Sequence, residues 1–116
     1  MPLVTQTPVP PEYVDALKVR LGVKQPGTDD LLTTALAVAI SWVNDRVYPV
    51  DQDPATRHDD VVEAIMILAS RLYARRNSPE GVTGWADLGF VRIVANDPDL
   101  NALLERHVDY TIVGLA

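Results

Sequence analysis

Asp59 and Glu63 stand at i and i+4, the spacing that puts two carboxylates on one side of a helix, where they could share a divalent cation or divide acid and base roles. A helical carboxylate site draws further ligands from a second helix, and no Glu-x-x-His or paired Glu-x-x-Glu pattern supplies them. Asp59 and Asp60 are accounted for as first-turn acids complementing a helix dipole. Ser41 and Ser70 fall within helical patterns and Ser78 starts a turn, with no Gly-x-Ser-x-Gly elbow around any of them. The two histidines, His58 and His107, read as polar residues at a helix start and a helix end, and leave little for a histidine metal site. The absence of cysteine removes disulfides, thiolate ligands and a thiol nucleophile. No phosphate-binding glycine loop is present. These residues lead us to expect no catalysis, no cofactor and no bound metal.

A second group is basic and aromatic. Arg71, Arg75 and Arg76 end a long apolar stretch, with Tyr73, Trp85 and Phe90 close by in sequence, and such residues could contact phosphate. The formal net charge of −6 argues against a protein that grips nucleic acid by neutralising phosphates. The proline-bearing connection from Tyr48 to Asp53 is too long for a helix-turn-helix corner. The arginines are better read as complementing a helix C-terminus and pairing with carboxylates of a neighbouring subunit. Trp85 and Phe90 either fold back over the helices or anchor a contact between subunits, since aromatics and arginine are enriched at binding hot spots.

The elements that would position these residues follow from periodicity and punctuation. The 116 residues fit one domain with a core of its own, and no apolar run is long enough to span a bilayer, so we expect a soluble protein made in the cytoplasm. Residues 1–10 are proline-rich and read as an extended arm. A first helix should run from Pro11 to Leu21, with Gly22 past its end. Thr28, Asp29 and Asp30 provide a cap and two first-turn acids for a second helix reaching about Val47, apolar on two sides and needing partners on both. The third should start at Asp53-Pro54 or Asp59, with Val61, Val62, Ile65, Met66, Leu68, Ala69, Leu72 and Tyr73 facing the core. Ala64, Ile67 and Ala74 lie outside that arc and suggest an intersubunit face, or ordinary solvent exposure. Ser78-Pro79-Glu80-Gly81 has the composition of a type I turn, and Phe90 to Val94 alternates as a short strand would. Asp97-Pro98-Asp99 opens a fourth helix, with Leu100, Leu103, Leu104 and either His107 or Val108 on its apolar face. Residues 109–116 form a tail in which Thr111, Ile112 and Val113 could add a strand to a partner's sheet. The fold class expected is mainly α: about four helices in a small bundle, with an extended loop or short β segment between helices three and four and extended termini.

The stretch Ala69-Ser70-Arg71-Leu72-Tyr73-Ala74-Arg75-Arg76-Asn77-Ser78-Pro79-Glu80-Gly81-Val82 resembles the helix-to-turn segment of head-tail connector (adaptor) proteins of long-tailed double-stranded DNA phages. The order of helices and loop is similar to that family's arrangement from about residue 11 to 108. The resemblance implies a virion protein of the phage neck, without enzymatic activity, that assembles as a ring, taken as dodecameric. The ring would lie between portal and stopper or tail-completion protein and extend the channel, through which DNA passes without sequence-specific binding. Two patches on each subunit must then meet head to tail. Ile67, Arg71, Arg75, Arg76, Trp85 and Phe90 are the expected subunit interface, and Thr111, Ile112 and Val113 the expected portal-docking residues.

Two other classes predict different behaviour. A small helical DNA-binding regulator would bind duplex with steep salt dependence. A metal-dependent all-helical hydrolase would bring Asp59, Glu63 and a third carboxylate together.

Overall fold

The computed structural model describes residues 8–24, 27–75 and 97–109. Arg76, Trp85, Phe90, Thr111, Ile112 and Val113 lie outside the described residues, as do the expected loop or strand between helices three and four and most of the arm and tail.

Among the described residues there are four α-helices: α1 (Pro11–Leu21), α2 (Asp29–Asn44), α3 (Asp59–Ala74) and α4 (Pro98–Leu104). Two single 3-10 turns accompany them, at Pro49–Asp51 and Glu105–His107. Among the described residues the only β pairing is an isolated antiparallel bridge between Val47 and Val108. The mainly helical fold class expected from the sequence is therefore the observed one.

Local chemistry sets the boundaries. Proline at the first position starts α1, where its missing N–H costs nothing. Gly22 ends the helix at φ 68°, a left-handed conformation that a side chain disfavours, and Val23 N–H returns to the Lys18 carbonyl. In α4 the cap is the side chain of Asp97, which accepts from the Asp99 and Leu100 N–H groups at 2.8 and 3.4 Å ahead of Pro98 at N1 or N2. At α2 the expected side-chain cap does not form: Thr28 is already helical in conformation and makes no capping hydrogen bond. The acids Asp29 and Asp30 remain in the first turn, and Asp29 also pairs with Lys18 of α1 at 2.7 Å.

Helix α2 stops at Asn44 rather than near Val47. Val47 is fully buried and bridges Val108, while Tyr48 N–H bonds the His107 carbonyl at 3.2 Å and Asp109 N–H bonds the Arg46 carbonyl at 2.7 Å. Those bonds use extended backbone at Val47 and Tyr48, ahead of the proline that begins the 3-10 turn. Residues 53–57 form a hydrogen-bonded turn, so α3 begins at Asp59, the second of the two expected starts.

The core is built around α3, which packs against α1, α2 and α4. Leu17 from α1, Leu32, Leu36, Ile40 and Val43 from α2, and Leu100 from α4 close on Val61, Ile65, Leu68 and Leu72, all essentially without solvent exposure. Helix α2 is apolar on two sides because α1 and α3 both cover it. One expectation is corrected: Ala64 is not on an outer face but fully buried, because contacts from three helices widen the covered arc of α3. Ile67 is half-buried against the core, and Ala74 is exposed.

Candidate functional site

The polar groups that the core cannot absorb gather at the two ends of α3. At its N-terminal end the 3-10 turn begun by Pro49 delivers Asp51 into the interior, where the residue is only 1 % exposed. Burial alone would push this carboxyl up. It is nevertheless held below the ordinary aspartate value, because the His58 backbone N–H and ring donate to it and the electrostatics of His107 and His58 favour its ionised form. The contacts are His58 N–H to Oδ1 at 2.9 Å, His58 Nδ1 to Oδ1 at 2.8 Å and His107 Nδ1 to Oδ2 at 3.2 Å. The two imidazoles stack with centroids 4.8 Å apart.

His107 is itself buried, carried in by the 3-10 turn that follows α4. Its Nε2 faces Asp60 Oδ2 at 3.3 Å, and the same oxygen accepts from Arg106 at 2.6 Å. The Arg106 and His107 contacts hold Asp60 down at about 2. His107 thus lies between two carboxylates, with Asp51 on one nitrogen and Asp60 on the other.

Arg57 supports the same corner from below. It is 9 % exposed and donates from Nε to the Asp51 carbonyl at 3.0 Å, from Nη1 to the Tyr13 hydroxyl at 3.1 Å and from Nη2 to Asn44 Oδ1 at 2.9 Å. A buried guanidinium with this many acceptors fixes the α2–α3 connection to α1 and to the last residue of α2.

The C-terminal end of α3 is simpler. Arg71 reaches Asp97, the cap of α4, at 2.7 Å, and its Nε is buried with no hydrogen-bond partner. Arg75 follows the last helical residue and is exposed, its N–H closing on the Arg71 and Leu72 carbonyls. The Arg71–Asp97 pair draws the end of α3 and the start of α4 together, so the chain departs for segment 76–96 and returns from it at one place.

The residues singled out in the sequence are distributed accordingly. Glu63 is taken by Arg20 of α1 in a two-point contact of 3.0 and 2.5 Å, and Asp59 is exposed in the first turn of α3, where an acid complements the helix dipole. Ser70 donates to the Met66 carbonyl of its own helix at 2.7 Å. Arg71 finds its carboxylate within the chain. What sequence reasoning missed is the meeting of Asp51, His58 and His107: the histidines were read separately, at opposite ends of different helices. Asp51 and His58 are seven residues apart, but His107 reaches Asp51 from the far end of the described chain, and no local spacing announces that. No helix among the described residues is long and apolar enough to cross a membrane. No protein-family model, curated protein or solved structure matches the chain.

Proposed function

We propose that this chain is a structural protein of the phage neck: a subunit of a ring between portal and stopper or tail-completion protein that extends the DNA channel. The observation that carries the proposal is the clamped exit at the end of α3. Arg71 and Asp97 hold both ends of segment 76–96 against the helical body, at the position where the sequence resembles the connector family. A helical body in which the end of α3 and the start of α4 meet at one place suits head-to-tail assembly of identical subunits. The net charge of −6 suits a wall that DNA slides past.

Within this reading Arg71 acts inside the subunit, and the contacts to a neighbour fall to Arg75, Arg76, Trp85 and Phe90, with half-buried Ile67 at their edge. Reversing both charges, Arg75→Glu with Arg76→Glu, should abolish or strongly weaken ring assembly in negative-stain images and sedimentation while leaving helicity unchanged. Normal rings from the double variant would reject the assignment. For portal docking by Thr111, Ile112 and Val113, removal of residues 110–116 is the suitable test, because it spares the Val47–Val108 bridge. The truncated chain should fold and fail to attach to portal-bearing heads; undiminished attachment would move the docking site elsewhere. Imaging purified necks and finding where this chain sits tests the reading as a whole.

The hydrolase alternative loses support because one of its two named carboxylates, Glu63, is engaged by Arg20.

A further inference from the structure

We infer that Asp51, His58 and His107 form a binding site for a transition-metal dication, zinc being the best match. One donor atom from each of the three lies within 4.8 Å of the other two. In a tetrahedral zinc site with bonds of about 2.0–2.2 Å, ligand atoms stand about 3.3–3.6 Å apart. His58 Nδ1 lies 2.8 Å from Asp51 Oδ1 and His107 Nδ1 3.2 Å from Asp51 Oδ2, so both imidazoles already face the carboxylate and a bound ion would spread the His58 contact by about half an ångström. The His58 side chain is 56 % exposed, which leaves its ring room to adjust toward an ion.

The chemistry of the corner argues for a cation. Asp51 is a buried anion, and among the described residues no lysine or arginine bridges its carboxylate; its side-chain partners are two imidazoles. A dication between the three side chains would take over the balancing of that carboxylate, replacing the two N–H···O contacts and releasing the protons they carry. Two imidazoles and one carboxylate form a nitrogen-rich set that favours zinc, cobalt, nickel or copper over magnesium and calcium, which prefer oxygen.

The surroundings are arranged as ligand supports usually are. Asp60 Oδ2 faces His107 Nε2, the nitrogen turned away from Asp51, so a proton kept there leaves Nδ1 with its lone pair toward the ion. The His58 backbone N–H holds Asp51 Oδ1, and Arg57 fixes the Asp51 carbonyl. Three protein ligands leave a fourth position for water or for a side chain of a partner. Bound there, the ion would tie the α2–α3 connection and the start of α3 to the 3-10 turn just ahead of the tail, giving residues 109–116 a fixed point of departure.

The full chain, free of any polyhistidine tag and stripped with chelator, should be titrated calorimetrically with zinc chloride and, separately, with magnesium chloride, while the histidine ring signals are followed by NMR. The expected result is one zinc per chain at micromolar affinity or tighter, displacement of both histidine ring signals, and no saturable response to magnesium. His58→Ala, at a half-exposed side chain, should keep wild-type helicity and lose at least ~10-fold in zinc affinity. Asp60→Asn should lose ~10–100-fold through the His107 ring it orients. The inference is overturned by absence of saturable zinc uptake up to ~1 mM, by a folded His58→Ala chain that binds zinc as tightly as wild type, or by zinc binding that leaves either histidine signal in place.

Discussion

At its first turn α3 meets a buried carboxylate, two stacked imidazoles and a buried guanidinium drawn from the α2–α3 connection and the end of the described chain; at its last turn a single arginine, about one-third exposed, reaches one aspartate. The two ends illustrate different uses of polar contact. A network in which each group has several partners fixes one arrangement, because losing any member leaves others buried and unsatisfied. A lone pair near solvent holds two elements together with little consequence for anything else.

The sharpest way to break this contrast is to truncate one cation at each end. Arg57→Ala should cost about 3 kcal/mol in urea denaturation, since Tyr13, Asn44 and the Asp51 carbonyl would all lose their donor. Arg71→Ala should cost under about 1 kcal/mol by the same measurement. Equal costs would show that the two ends are held alike. The smallest effect concerns Glu63, on the side of α3 between them. The hydrogen bond from Arg20 outweighs burial and holds Glu63 below its usual value, so the stability it adds is complete above about pH 5 and is lost as pH falls through the lowered value. Glu63→Gln should flatten that part of the acid unfolding curve by less than about 1 kcal/mol.

What could be read from the sequence was whatever depends on neighbours along the chain. The bounds of α1 follow from Pro11 and Gly22, and the start of α4 from Asp97-Pro98-Asp99, because caps and turns are made by adjacent residues. The end of α2 was misplaced because Val47, apolar and in helical register, is claimed by a strand-like bridge to Val108. Ala64 looked outward because a single-helix projection cannot know that three helices surround α3. The acid cluster's failure and the histidine cluster's existence have one cause. Arg20 and His107, the residues that engage Glu63 and Asp60, arrive from distant parts of the chain, and i, i+4 spacing is blind to them.

The bond between Arg71 and Asp97 also separates what must stay constant from what can vary. It fixes the end of α3 against the start of α4 through a residue of α3 and the cap of α4 alone. The body does not have to be rebuilt when the insert is. A lineage could therefore rewrite that short stretch of codons to follow a changing partner, while selection on the four helices continued undisturbed.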